Sequence, residues 1–342
     1  MRPPSVRPFQ AADLPACAAR LAEGHRVART RQHALPPRFE DAEACGALIE
    51  KALEGQSDAW VAERDGRVVG YLAGTRSLQS PDSFGAQYAP PHSVSVSLAG
   101  HALATDEPRE TYRSLYAAAS RQWAEDGFFV HRVSLRPADT EAREAWFLLG
   151  FGANTTFSTR TTAPIDGGVD PASADVEVHA ASLEELPVVR HFDELESLHH
   201  RDAPIFWPHL GRDVASSVEA FQRAALEGER NPIFIATREG EPLAMHFVIR
   251  SGGFGGPMSQ PDGSIYLYQA IVEPQAQGNG VGTVLLRHTV DWARAEGFGW
   301  INLHYASMNP TGAPFWQRHG FEGVEMSVGR TLDDRIAWAR GR

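Results

Sequence analysis

The feature that most constrains this chain is that it repeats itself. Residues 135–151 read LRPADTEAREAWFLLGF and residues 305–321 read YASMNPTGAPFWQRHGF. Asp139 answers to Asn309, Trp146 to Trp316, and Gly150-Phe151 to Gly320-Phe321, each pair 170 positions apart. Upstream, ALEGQSDAWVAERDGRVVGYLAGTRS from Ala52 resembles ALEGERNPIFIATREGEPLAMHFVIRS from Ala225. Two copies of one unit predict two domains of one fold, which suits a length of 342 residues. Between them TTAPIDGGVDPASAD (161–175) is rich in Pro, Gly and Asp and poor in apolar residues, the composition of a linker. The expected organisation is a first domain over 1–165, a linker over 166–175 and a second domain over 176–342.

The second copy is the easier to read. VEVHA is a strand, and Ser182 caps a helix whose first turn carries Glu184 and Glu185 at the positive end. PIFIAT and EPLAMHFVIR form a hairpin turned at Arg238-Glu239-Gly240, and a glycine-rich connection (251–263) leads to the strand SIYLYQAIV (264–272). A helix over 281–296 stops at Gly297, and a strand (301–305) and a short helix (312–319) follow. This order predicts an α/β (α+β) domain with a mixed central sheet flanked by helices, twice over.

Composition narrows the partners. The formal charge of −11 and the lack of a basic patch speak against nucleic acid and anionic membrane surfaces. No stretch reaches the roughly 18 consecutive apolar residues of a membrane span, and the N-terminus MRPPSVRPFQAADLP has no apolar run behind its arginines. Cys17 and Cys45 fit neither a disulfide framework nor a zinc spacing, so a cytoplasmic, reducing setting without metal is expected.

The chemistry concentrates after the strand 264–272. A proline turn is followed by Gln277-Gly278-Asn279-Gly280-Val281-Gly282, which opens the helix. Glycines at alternate positions let several N–H groups converge on an anion at the positive helix end, which suits a pyrophosphate. A Rossmann site would place this turn in the first strand-helix-strand unit of its domain. Here it comes late, behind a hairpin.

With Asn309, Trp316 and Gly320-Phe321 downstream, the stretch resembles the GCN5-related N-acetyltransferase (GNAT) superfamily, whose Gln/Arg-x-x-Gly-x-Gly/Ala segment appears as Gln275-Ala276-Gln277-Gly278-Asn279-Gly280. The resemblance covers the second half closely and the first in outline, and the chain looks like a tandem GNAT with a degenerate first copy. In that first copy Pro108, Glu110 and Tyr112 stand where the glycines 278, 280 and 282 stand in the second, and Asp106 and Glu107 add charge that repels phosphate.

The resemblance implies acetyl-CoA as cosubstrate, one site per chain, bound by Gln275, Gln277, Gly278, Asn279, Gly280, Val281 and Gly282. Backbone groups around Ile271 and Val272 would meet the pantetheine arm and thioester oxygen, and Asn309 and Trp316 would complete the set. Trp316 stands where many relatives carry a tyrosine that protonates the leaving thiolate. Indole cannot do this, so Tyr268 or Tyr305 is next in line, and Trp316 also reads as a packing residue. His304 occupies the strand position where relatives that acetylate peptide termini can hold a glutamate base. Tyr266, His199 and Trp207 are expected to line the acceptor site; His199, His200 and His209 read as hydrogen-bonded or solvated side chains and not as metal ligands.

The expected activity is direct acyl transfer from acetyl-CoA to a primary amine of a small molecule or peptide terminus, by a monomer or homodimer. A non-catalytic CoA-binding sensor or scaffold, and acylation of an alcohol, are the alternatives. A tRNA-dependent ligase on the same fold is disfavoured by the intact glycine turn and the missing basic patch.

Overall fold

The computed structural model describes residues 3–55, 57–80, 83, 86, 90–167, 171–208, 212–228, 231–250, 253 and 255–339. In chain order the first half contributes β1 (Ser5–Pro8), α1 (Leu14–Arg29), α2 (Ala42–Leu53), β2 (Ser57–Arg64), β3 (Arg67–Leu78), β4 (His92–Val96), β5 (His101–Leu103), α3 (Glu110–Glu125), β6 (Val130–Leu135), α4 (Thr140–Leu148) and β7 (Gly152–Thr161). The second contributes β8 (Glu177–Ala180), α5 (Leu186–Arg201), α6 (Arg212–Glu227), β9 (Ile233–Arg238), β10 (Glu241–Ile249), β11 (Ser264–Val272), α7 (Val281–Ala295), β12 (Trp300–Ala306), α8 (Gly312–Arg318) and β13 (Glu322–Thr331).

The duplicated landmarks turn out to be folding signals. The Asp139 carboxylate accepts from the Ala142 N–H at the start of α4, and the Asn309 Oδ1 accepts from Gly312 N–H (2.9 Å) and Thr311 N–H (3.1 Å) at the start of α8. Trp146 and Trp316 are the core residues of these helices. Gly150 and Gly320 then stop the helices at φ 83° and 79°, where a side chain is strained. Phe151 and Phe321 send their N–H groups back to the carbonyls of Trp146 and Trp316 and pack on those indoles at 5.0 and 5.3 Å between ring centroids. This is a Schellman stop with its hydrophobic contact. Ser182 caps as expected, with its N–H on the Glu185 carboxylate at 2.9 Å. The β9–β10 turn has positive φ at Glu239 (50°) and Gly240 (83°), as a two-residue hairpin requires.

The chain forms two compact units, and neither is continuous in sequence. The first comprises Met1–Thr156, Gly255–Gln260 and Gly323–Arg342; the second comprises Phe157–Phe254 and Pro261–Glu322. In the first, the strands lie in the order β1-β2-β3-β4-β6-β13, with β5 on β3. In the second they lie β7-β12-β11-β10-β9-β8. Each unit combines antiparallel pairs with a parallel pair, β4 with β6 in the first and β11 with β12 in the second.

Each half's last strand therefore completes the other half's sheet. β13 runs antiparallel to β6 from Met326 opposite Leu135 to Thr331 opposite Val130. On the second unit, Thr162 N–H donates to the Gly299 carbonyl at 3.0 Å and its hydroxyl to the Phe298 carbonyl at 2.8 Å. A single cut near residue 170 thus matches neither unit, and residues 161–165, read as linker from composition, belong to the fold of the second: Thr162 is buried and Ile165 packs on its core. Repetition makes this exchange possible, because either terminal strand satisfies the same open edge of N–H and C=O groups.

In the first unit the counterpart of the glycine turn carries side-chain contacts of its own. The Glu107 carboxylate sits at the start of α3, paired with Arg64 at 2.6 Å and accepting from the Thr111 hydroxyl at 2.5 Å. The buried His101 bridges the Ser134 carbonyl on β6 (2.8 Å) and the Tyr112 hydroxyl (3.0 Å), with Trp146 against both rings. Ser134 lies 170 positions before His304.

In the second unit the sheet is covered on both faces. Val281, Leu285, Leu286 and Val290 of α7 pack on Ile265, Leu267, Ile301 and Leu303. Val189 and Phe192 of α5 and Phe221 of α6 pack on Ile233, Ile235, Met245 and Phe247. Two helices, α5 and α6, precede the β9–β10 hairpin. Cys17 and Cys45 are free and buried. Among the described residues no helix is long and apolar enough to cross a membrane.

Candidate active site

The site forms where two strands part. β11 and β12 run in parallel register from Ser264 opposite Trp300 to Leu267 opposite Leu303, and the register ends there. On its other side β11 carries a bulge: Phe247 faces Gln269 and Val248 faces Leu267, which leaves Tyr268 as the extra residue. A bulge re-aims the chain, so the strands diverge from Tyr268 and His304 onward.

A 3-10 turn (Pro274–Ala276) then brings the chain to α7. Gly278 and Gly280 hold φ of 81° and 78°. A Cβ on Gly278 would meet nothing within 4 Å, so backbone conformation is what requires glycine there. The first α7 bonds run from Thr283 and Val284 N–H to the Gly280 carbonyl, which leaves the preceding N–H groups to point out of the helix start. Gln277 supports the turn by donating from Nε2 to the Val272 carbonyl at 3.1 Å.

A cavity of about 640 Å³ joins this turn to the parted strands. Gln277, Gly278, Gly280, Val281 and Gly282 line it, as do Ile271 and Val272. So do Glu196, His199, His200, Trp207, Tyr268 and His304, together with Tyr305, Asn309 and Trp316. Gln275 and Asn279 are exposed in the turn and outside the lining. Arg318 and His319 add basic groups to the wall near α8.

Several expected site residues have a structural employment that the motif alone does not reveal. Asn309 caps α8 with its carbonyl oxygen, while its Nδ2 approaches His199 Nε2 at 3.3 Å, tying α5 to the start of α8. Trp316 is packed among Phe315, Phe321 and His246. Tyr305 belongs to the α7 side of the sheet, and Tyr268 packs on Phe221 and Phe247 on the opposite side. Tyr266 is 1% exposed and is not in the lining; it reaches the cavity only through His304. Its hydroxyl bonds His304 Nδ1, and the two rings lie nearly parallel, 12° between planes, with centroids 6.0 Å apart. Gly253 is pressed against the Tyr266 ring, where a Cβ would lie 2.4 Å from it.

Burial dominates the electrostatics. It pushes His304 down to about 4 and His246 down to about 3; His246 also shares a hydrogen bond with the Thr289 hydroxyl at 2.8 Å. His200 is lowered to about 4 by burial and by the neighbouring His199 and His304. Glu196 moves the other way, up to about 8, because it is enclosed and faces Asp193. Glu196 was not singled out from sequence, although Asp193, Glu196 and His200 fall at helical spacing on α5 and mark one polar stripe. His209 lies outside the described residues.

Residues 192–321 match the model of the acetyltransferase (GNAT) family. No curated protein matches the sequence. Among solved structures, a GCN5-related N-acetyltransferase from Sphaerobacter thermophilus superimposes with a TM-score of 0.57 at 13% identity, over 96% of this chain and 95% of that one. A glucosamine N-acetyltransferase region of a fungal multi-domain GH3 β-N-acetylglucosaminidase gives 0.53 at 11% identity, over 96% of this chain and 38% of that one. A tandem GNAT protein from the clavulanic acid biosynthesis pathway gives 0.46 at 14% identity, over 96% and 98% of the two chains. The GNAT acetyltransferase family model thus covers residues 192–321, the fold over the whole chain is that of a GCN5-related N-acetyltransferase structure, and the same strand order is built twice.

Proposed function

We propose that the second unit transfers an acetyl group from acetyl-CoA to a primary amine of a small molecule or peptide terminus, by direct attack within the cavity. The observation that carries this reading is the continuity of one cavity from the α7 N-terminus to the parting of β11 and β12. The residues present suit acetyl-CoA: positive-φ glycines and free-pointing N–H groups for a pyrophosphate, then a gap between strands for an extended arm. When bound, acetyl-CoA supplies an acyl thioester for attack.

In this proposal the N–H groups at the start of α7 hold the pyrophosphate, and the backbone around Ile271 and Val272 meets the arm and the thioester oxygen. His304, kept neutral by burial and held by Tyr266, presents Nε2 to orient the amine. With a pKa near 4 it binds protons weakly, which suits a positioning role better than proton removal. Trp207 and His200, with ring centroids 5.2 Å apart, offer an aromatic wall to the acceptor. Tyr268 and Tyr305 are the hydroxyls in the lining that are proposed to return a proton to the thiolate.

The test is thiol release from acetyl-CoA against a panel of amines with a no-acceptor control. Amine-dependent release by the wild type is expected. Calorimetric acetyl-CoA binding near one site per chain without release for any amine would overturn the proposal.

A further inference from the structure

On α5, which covers the sheet on the acceptor side, one carboxyl faces into the cavity at the level where the strands part. Glu196 lines the same space as Tyr268 and His304. It is held there by Gln269, the residue after the bulge, whose Nε2 donates to Glu196 Oε2 at 3.0 Å and to Asp193 Oδ1 at 2.6 Å. The backbone N–H of Ala270 also interacts with the Glu196 carboxyl. One amide group on the diverging strand thus holds two carboxyls of α5 side by side.

We propose that Glu196 is the proton acceptor for the amine in this cavity, with Gln269 and Asp193 as its positioning residues. The proposal rests on the acyl-transfer reading above. An acceptor arriving as an ammonium gives one proton to the Glu196 carboxylate. The freed lone pair forms the C–N bond as the C–S bond breaks, the second N–H proton passes to the departing sulfur, and the Glu196 proton is released to water as the product leaves.

The surroundings suit the role. On α5 the cavity also receives His199 and His200; β11 contributes Tyr268 and β12 contributes His304. Burial keeps His200 and His304 neutral near pH 7, and Asp193 is the charge acting on Glu196. Burial and that charge raise Glu196 to about 8, a proton affinity much better matched to an ammonium than that of an ordinary carboxylate.

The experiment compares wild type, Glu196→Gln, Asp193→Asn and His304→Ala. It measures kcat/KM against pH with an amine active in the thiol-release assay, acetyl-CoA affinity by calorimetry, and carboxyl carbon-13 titration of the ligand-free protein. Glu196→Gln should lower kcat/KM by roughly 10²–10⁴-fold, abolish the limb near pH 8 and remove one high-pH carboxyl titration, with acetyl-CoA affinity kept. Asp193→Asn should move both the limb and the titration to lower pH. His304→Ala should keep the limb. Wild-type turnover with an unchanged profile in Glu196→Gln overturns this inference alone; a limb that disappears with His304 and not with Glu196 does the same. Absence of wild-type turnover across the panel overturns the acyl-transfer reading and this inference with it.

Discussion

Thr162 offers a direct test of the exchanged strand, because composition assigns it to a linker while the structure gives it two hydrogen bonds into the second unit. It is 7% exposed, with its N–H on the Gly299 carbonyl and its hydroxyl on the Phe298 carbonyl. Thr162→Val keeps the shape and removes only the hydroxyl, which leaves a carbonyl without its partner at a cost of about 1–2 kcal/mol. Thr162→Pro also removes the N–H and adds about 2 kcal/mol at Gly299, for about 3–4 kcal/mol together. In a domain of this size 1 kcal/mol moves Tm by about 2–4 °C, so the valine variant should melt about 2–8 °C lower and the proline variant about 6–16 °C lower. Thermal melting read through hydrogen exchange of β12 reports on the second unit specifically. A true linker residue would show changes within about 0.5 kcal/mol in both variants, and that outcome would refute the assignment of 157–165 to the second unit.

Gly280→Glu places a side chain at φ 78° and a like charge beside the pyrophosphate position; it should cost acetyl-CoA affinity at least about 100-fold by calorimetry, while Glu110→Gly in the first unit leaves it unchanged. Gly253→Ala drives a Cβ to 2.4 Å from the Tyr266 ring at φ 103°, so it should lower kcat by displacing the Tyr266–His304 pair while acetyl-CoA affinity holds; normal kcat in a folded variant would show that the pair does not position the amine. Stability should also fall on acidification. His246 and His304 titrate near 6.5 when unfolded but only at about 3 and 4 when folded, so between pH 6.5 and 4 the unfolded chain binds protons the native one refuses. For His304 the loss reaches roughly 3 kcal/mol at the lower end of that window. Melting at pH 7 and pH 4.5 checks this; His246→Gln should flatten the dependence, and identical slopes would count against it.

The residues legible in the sequence are those whose work is local. Asp139 and Asn309 cap the next helix, Gly150 and Gly320 stop it, Ser182 and Glu185 close a capping box, and Gly278 and Gly280 turn the chain into α7. Each acts within a few residues of itself, through a hydrogen bond or a φ value that residue type alone decides, so spacing betrays it. The same locality explains why the β9–β10 hairpin was readable from apolar runs. What the linear pattern could not show depends on chain far away. β7 and β13 look alike as strands, and only the competition for two equivalent sheet edges assigns them to opposite units. The bulge that frees Tyr268 is a matter of register with β10, and the contact of Tyr266 with His304 joins side chains 38 residues apart. Titration depends on distance in the folded state even more. Glu196 rises and His304 falls because the sheet and α5 close around both, and enclosure penalises whichever form is charged: the anion of one, the cation of the other.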